Sequence, residues 1–252
     1  MNIEKHSFNQ NRILITIDEI DHACFFSLLD EYLVQICVGY RESSKDEVKR
    51  ALRSLFSKKN QTWICGAVAE LFLGVYLLSL NYEQCYLFQN LEERSSKKGF
   101  DGVYKVNDEL WILESKATAV FKRRGHKEKV LEAIGDIIDK IECSSEDKNN
   151  PWKNAYYHAN LRDLHTTEDT LQFLKDMERD YYMGRHHSIE EFNNIPCGTI
   201  IDSIDENRIE LSSLINDFNG VLDSLLGRKV NIICVSMKTT EWFLDYINED
   251  LM

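Results

Sequence analysis

Eighteen consecutive residues, the run "WICGAVAELFLGVYLLSL" from Trp63 to Leu80, limit the fold strongly because they are apolar on every side. Their length is near the lower limit for a helix that crosses a bilayer. The single charge, Glu70, lies near the middle of the run, where membrane insertion costs about 3 kcal/mol. Since the rest of the chain has the pattern of a soluble protein, we predict a fully buried core helix and no membrane association.

The composition is that of a soluble protein in a reducing compartment. The 252 residues include two prolines and no low-complexity tract, which argues against long disordered linkers. The N-terminus, "MNIEKHSFNQ", lacks the apolar core of a signal peptide. Seven cysteines are scattered and none forms C-x-x-C, so neither a disulfide framework nor a zinc site is indicated. We therefore predict a cytoplasmic protein.

Hydrophobic patterning predicts an α/β fold with a mixed central sheet flanked by helices. Strands are expected at 12–18, 84–90, 100–106, 109–117, 197–204 and 229–237. Helices are expected at 21–38, 45–57, 63–80, 126–142, 167–182, 206–226 and after the last strand. We expect one domain over 1–252, with an N-terminal extension (1–60), a core (62–142), a helical insertion (144–195) and C-terminal strands and helices that complete the core (196–252).

The net charge of −12 is unevenly distributed. Between residues 94 and 129 the chain has ten Lys and Arg against five Asp and Glu, so this window carries +5 and the remainder −17. A free-standing nucleic-acid binder is usually basic throughout. The asymmetry therefore marks the one region that could hold an anionic polymer, although a basic window is also typical of a solvated loop and helix end.

Inside this basic window, the stretch "GFDGVYKVNDELWILESKA" (99–117) predicts a β-hairpin. Asn107 and Asp108 both tolerate positive φ and suit a two-residue turn. In that register facing residues sum to 215, which pairs Tyr104 with Trp111 and places Asp101 across from Glu114 at a Cβ separation of about 5 Å. Lys116 shares the face of Glu114, because side chains two apart in a strand point the same way.

A pair of carboxylates that face each other indicates a chemical function, because it does not stabilise the sheet. Like charges directly opposite destabilise a sheet, whereas a divalent cation between them reverses the sign of that interaction. Asp101 and Glu114 offer the hard oxygen ligands that Mg²⁺ prefers, with Mn²⁺ as an alternative. Such a metal activates water for phosphodiester hydrolysis, and Lys116 could orient that water or stabilise developing charge.

The spacing Glu-x-Lys alone has little specificity, because it occurs twice more, at 47–49 and 146–148. The first of these lies on a predicted helix, where residues i and i+2 do not share a face. The second lies in a polar break. Only Glu114 and Lys116 are at the end of an apolar strand with a carboxylate placed opposite.

Glu70 is a candidate third carboxylate because an isolated charge in an apolar helix is costly unless it is paired or binds a ligand. Gly66 and Gly74, one turn on either side, would let another backbone approach that face of the helix. Two interpretations remain open: Glu70 is a further metal ligand, or it lies at the helix rim and pairs with a basic residue.

A helix with an inward Glu, a hairpin carrying D…E-x-K and a following helix resemble the PD-(D/E)xK nuclease superfamily over residues 62–142 and the strand near 230–236. The matching residues are Glu70, Asp101, Glu114 and Lys116, although Phe100 replaces the usual proline before the first acid. The sequence segments "KKGFDGVY" and "LWILESKA" are more closely similar to the small nuclease subunit of the Hachiman anti-phage defence system. This resemblance implies a restriction-endonuclease-like core and a bacterial effector that degrades DNA and works with a helicase partner.

If the resemblance holds, basic residues around the hairpin would contact the DNA backbone. The candidates are Lys97, Lys98, Lys122, Arg123, Arg124 and Lys127. Two other functions stay open at this point. The chain could be a non-catalytic, partner-binding subunit with a nuclease-like fold, which the acidic charge favours. It could also cut RNA, since a backbone-cutting site need not read bases.

Overall fold

The computed structural model describes residues 1–85, 87–88, 99–119, 125–142, 150–201 and 209–249. Within these ranges the chain forms seven strands and eight α-helices. The strands are β1 (Asn2–Asn9), β2 (Arg12–Asp18), β3 (Glu83–Gln84), β4 (Gly102–Val106), β5 (Glu109–Ala119), β6 (Asn193–Ile201) and β7 (Lys229–Met237). The helices are α1 (His22–Val38), α2 (Lys45–Phe56), α3 (Gln61–Ser79), α4 (His126–Ile141), α5 (Pro151–Ala159), α6 (Glu168–Tyr182), α7 (Leu211–Asn219) and α8 (Glu241–Asn248).

One mixed sheet of seven strands organises the described part of the chain, in the order β1-β2-β7-β6-β5-β4-β3. The four central strands, β2, β7, β6 and β5, are parallel, and both edges continue antiparallel. The predicted α/β class, with a mixed central sheet flanked by helices, is confirmed. Parallel strands buried on both faces read as continuous apolar runs, and β6 is buried at all nine positions.

Helices cover both faces of the sheet and create two apolar cores. One core joins α1, α2, α3 and α8 to side chains such as Trp111 and Leu113 of β5. The other joins α4, α5, α6 and α7 to side chains such as Val103 of β4 and Ile112 of β5. Successive residues of a strand therefore point into different cores, and the side chains in line with Ile112 face α4.

The apolar run is α3, which lies within the first core. Among the described residues it is the one helix long and apolar enough to cross a membrane, and 72% of its most apolar stretch is buried inside the protein. Asn60 caps it by accepting a hydrogen bond from the backbone N–H of Trp63. This burial supports the predicted core helix.

Several predicted boundaries differ from those observed. The strand expected at 84–90 is confined to Glu83–Gln84 among the described residues of that stretch. The helix expected at 206–226 is the shorter α7, followed by a single 3-10 turn. The segment 1–60 contributes β1 and β2 to the sheet, and the segment 144–195 contributes α5, α6 and the first residues of β6. β1 went unpredicted because it is exposed at most positions and has little apolar alternation.

The hairpin has the predicted register. Val106 pairs with Glu109, Tyr104 with Trp111, and the ladder ends at Gly102 and Leu113. The two turn residues, Asn107 and Asp108, have φ of 50° and 59°, the left-handed values that a type I′ turn requires. The right-handed twist of the strands favours this turn, which is why local sequence alone fixes the pairing.

Candidate active site

Asp101 lies immediately before β4, opposite Glu114 in the continued register of the hairpin. Its Oδ2 accepts a 2.8 Å hydrogen bond from the backbone N–H of Ser115. The carboxylate thus satisfies a β5 donor just beyond the point where the β4–β5 ladder ends. This contact anchors Asp101 beside Glu114, as the register predicts.

Glu114 is buried on the sheet face that α4 covers, with 3% of its side chain exposed. Lys140 Nζ donates to Glu114 Oε2 at 2.5 Å, and Lys116 Nζ donates to Glu114 Oε1 at 3.2 Å. Both carboxylate oxygens therefore have ammonium partners, one from the strand and one from the helix. The predicted placement of Lys116 on the face of Glu114 is confirmed.

Lys116 has a second carboxylate partner on α4. Its Nζ lies 2.5 Å from Oδ2 of Asp136, whose side chain is 46% exposed. Asp136 and Lys140 are four residues apart and thus on one face of the helix. Glu114 therefore lies against Lys140 and Lys116 against Asp136, so that each charge of the strand contacts an opposite charge on the helix.

The electrostatics of the pair favour a cation. Burial, and after it the negative charge of Asp101, raise the pKa of Glu114, Lys140 and Lys116 oppose the rise, and the net pKa is about 7. Burial lowers the pKa of Lys116, but the charges of Glu114 and Asp136 outweigh that effect and the net pKa is raised. Glu114 is therefore poised to exchange its proton near neutral pH, whereas Lys116 stays charged.

Asp136 and Lys140 are the site residues that the sequence did not reveal. A signal existed, since both border the apolar stripe of an amphipathic helix at the i, i+4 spacing. That spacing is common on solvated helix faces. Only the packing of α4 on β5 brings the two charges to the strand.

Glu70 is half-buried on α3, which packs on the opposite face of β5 from α4. Its charge acts on Tyr104, whose pKa is raised by burial and then by Glu70. Tyr104 points to the same helix, because a Cβ added at Gly74 would lie 3.1 Å from its hydroxyl. The structure thus places Glu70 beside Tyr104, and its role as a metal ligand stays a prediction.

Among the described residues, no other backbone packs closely against the glycines on either side of Glu70. A Cβ added at Gly66 would meet nothing within 4 Å, and one at Gly74 would meet side chains of Ile36 and Tyr104. The prediction of a close backbone approach is therefore wrong. Gly74 instead leaves room for the side chains that α1 and β4 direct at α3.

The carboxylate pair suits a hard cation, since Glu114 is buried against a second negative charge. No group of three His, Cys, Asp or Glu side chains in the described ranges is close enough to hold a metal ion. Of the predicted ligands, Asp101 and Glu114 are the two that the structure brings side by side, and both could hold Mg²⁺. Water and substrate phosphate would complete the shell, as is usual for this ion.

Most of the proposed DNA-backbone residues, namely Lys97, Lys98, Lys122, Arg123 and Arg124, lie outside the described residues. Lys127 is described and lies in the first turn of α4, with Nζ 3.9 Å from Oδ1 of Asp217 on α7. In sequence, α4 is the next described element after β5, which carries Glu114 and Lys116. A contact between Lys127 and a DNA phosphate stays a prediction.

No curated protein matches the chain. The family model described as HamA matches residues 2–251, nearly the whole length, including both strands of the hairpin and the helix that pairs with them. The chain belongs to the HamA family.

Proposed function

We propose that the protein is a Mg²⁺-dependent nuclease that cuts DNA phosphodiester bonds. The observation that carries this proposal is the buried Glu114 beside Asp101, with the ammonium of Lys116 3.2 Å from Glu114. Two carboxylates and a lysine on one face form the arrangement that the PD-(D/E)xK resemblance implies. A restriction-endonuclease-like core, 62–142, is part of the same proposal.

Each residue has a distinct part in the proposed chemistry. Asp101, held by the Ser115 N–H, and Glu114 would bind the metal and fix its position relative to the sheet. Bound Mg²⁺ supplies a Lewis acid for the phosphate and lowers the pKa of a coordinated water. Lys116, kept charged and fixed by Asp136, would donate hydrogen bonds to the attacking water or the phosphate oxygens.

The biological setting follows from the family. HamA membership supports involvement in Hachiman-type defence, which is a system of more than one subunit. We propose that a helicase subunit is the partner and that the protein acts in the cytoplasm. An acidic chain with one basic window is poorly suited to capture DNA alone, so delivery by a partner would compensate for its net charge of −12.

Degradation assays with the purified chain test this proposal. Plasmid DNA, linear DNA and RNA are incubated with Mg²⁺, Mn²⁺ or EDTA, with and without the helicase partner. Wild-type protein should degrade DNA only with metal, whereas Glu114→Gln and Lys116→Met should lose at least about a hundredfold in rate while staying folded. Variants that cut as fast as wild type would exclude this site. Faster degradation of RNA than of DNA would identify RNA as the substrate.

A non-catalytic, partner-binding subunit is the second candidate. Lysine ammoniums already occupy both oxygens of Glu114, an arrangement that can persist without metal. Calorimetric titration with Mn²⁺ separates the two functions. A nuclease binds the metal and loses that binding in Glu114→Gln, whereas a purely structural ion-pair network shows no binding, with or without DNA.

A further inference from the structure

α4 brings to the site a lysine that the proposed chemistry does not use. Lys140 lies in the last turn of the helix, and its Nζ is 2.5 Å from Glu114 Oε2, closer than Lys116 is to Oε1. The side chain is 22% exposed, and Glu114 is almost fully buried. A charge this close to a buried carboxylate changes what else that carboxylate can bind.

The ammonium of Lys140 lies next to Glu114, at a place where a metal cation could also bind. Lys140 Nζ lies 5.9 Å from the ring centroid of Phe100, the buried residue directly before Asp101. The ammonium is therefore on the side of Glu114 that faces the start of β4. A metal held by both Asp101 and Glu114 would also bind Glu114 on the side of β4, where the Lys140 ammonium already contacts Oε2.

We propose that Lys140 is a positioning residue that neutralises Glu114 in the resting site and must withdraw from it before a divalent cation binds. This inference rests on the proposed nuclease function. It assigns the two lysines different parts: Lys140 sets how readily metal enters, and Lys116 stays for the reaction.

The contacts of the two lysines support this division. Lys116 has Asp136 at 2.5 Å as well as Glu114, so it remains anchored when a metal takes over the Glu114 charge. Lys140 lies in the last turn of α4, where the helix dipole favours a cation whether or not Glu114 is its partner. Its side chain is already partly in solvent, so its withdrawal requires no rearrangement of the buried core.

Metal affinity of the full chain tests the proposal. Mn²⁺ is titrated calorimetrically into wild type, Lys140→Met and Lys140→Arg at pH 8.5, above the pKa of Glu114, so that protons compete little. Lys140→Met should bind Mn²⁺ about tenfold more tightly or better, because the competing charge is gone. Lys140→Arg, which keeps the charge, should bind like wild type.

Lys229→Met is the matched control. Lys229 pairs with Glu109 at 2.7 Å on the far end of the same sheet, so its loss removes a lysine–glutamate pair without touching the site. Its Mn²⁺ affinity should equal that of wild type. Thermal unfolding of all variants shows whether each is folded at the titration temperature.

The outcomes separate this inference from the proposed function. Tighter binding in Lys140→Met, with Lys140→Arg and Lys229→Met unchanged, supports the competition. Equal or weaker binding in a folded Lys140→Met, while Glu114→Gln abolishes binding, overturns the role of Lys140 and leaves the metal site intact. Absence of Mn²⁺ binding in every folded variant, with DNA present, overturns both.

Discussion

The backbone N–H of Ser115 donates a 2.8 Å hydrogen bond to Oδ2 of Asp101. This bond ties the residue before β4 to the residue after Glu114, so the two carboxylates of the candidate site share one rigid frame. Charge and geometry at Asp101 can therefore be separated by mutation, since an amide keeps the acceptor and removes the charge.

Asp101→Asn should retain the fold and lose nuclease activity. The amide oxygen still accepts from Ser115, but a neutral side chain is a poorer metal ligand, so cutting should fall at least about a hundredfold. Asp101→Ala should also lose activity and unfold more readily by roughly 1–2 kcal/mol, because the Ser115 N–H loses its partner. Plasmid cleavage and thermal unfolding measure the two effects; wild-type activity in Asp101→Asn would contradict the metal assignment.

The pH dependence of cutting should depend on metal concentration. Glu114, whose pKa burial raises to about 7, must release its proton before it binds a cation. At limiting Mg²⁺ the initial rate should rise with pH with a midpoint near 7 and level off about one unit above it. At high Mg²⁺ the midpoint should move to lower pH, since metal and proton compete for one carboxylate. If the midpoint does not change with Mg²⁺ concentration, metal and proton do not compete for Glu114.

Glu114→Gln should stabilise the protein at alkaline pH and not at acid pH. The folded-state pKa of Glu114 is raised from 4.5 to about 7, so the folded protein binds the proton more tightly than the unfolded chain. Wild-type stability then falls as pH rises from about 4.5 and levels above about 7, by roughly 3 kcal/mol at full ionisation. Gln mimics the protonated form throughout.

Thermal unfolding without metal at pH 4.5 and pH 8 tests this sign. The two proteins should have similar Tm at pH 4.5, and Glu114→Gln should unfold several degrees higher at pH 8. Added Mn²⁺ should raise the Tm of wild type alone, because ligand binding stabilises only the protein with the site. A lower Tm for Glu114→Gln at pH 8 would mean that the lysines stabilise the charge more than burial opposes it.

Local sequence predicted the hairpin and its charges because every determinant is adjacent in the chain. The Asn107–Asp108 turn sets the register, and the register sets Asp101 against Glu114. The partners on α4 depend instead on how that helix packs against β5, and they lie 20 and 26 residues from the strand residues that they contact. Asp136 and Lys140 therefore had no local signal beyond their spacing, and only the tertiary structure revealed that Lys140 contacts Glu114.

Asp136→Asn should lower the rate of cutting through Lys116. The substitution removes the negative charge 2.5 Å from the Lys116 ammonium, and the remaining amide oxygen would accept from that ammonium more weakly than a carboxylate does. We expect kcat to fall roughly tenfold with little change in KM for DNA, because positioning rather than substrate binding is lost. Glu132→Gln is the control, since Glu132 pairs with Lys129 on the same helix at 2.6 Å.

A rise in KM with unchanged kcat would instead assign Asp136 to substrate binding. Equal loss in Glu132→Gln would indicate a general effect of charge on α4. Neither result is expected, because Asp136 is the α4 carboxylate in hydrogen-bond contact with Lys116 among the described residues.

Gly99→Ala should disturb the site through the backbone. A Cβ at Gly99 would lie 2.2 Å from the carbonyl oxygen and 2.6 Å from the Cα of Pro151, the first residue of α5. Backbone atoms at a helix start cannot yield cheaply, so the segment leading to Asp101 must shift. We expect a loss of about 1–3 kcal/mol in stability and a lower cutting rate.

Gly66→Ala is the matched control, because a Cβ at Gly66 meets nothing within 4 Å. Alanine in the interior of α3 stabilises the helix by about 1 kcal/mol relative to glycine, so the Tm should rise and activity should persist. Wild-type stability in Gly99→Ala would mean that the start of β4 and the start of α5 are not in contact in solution.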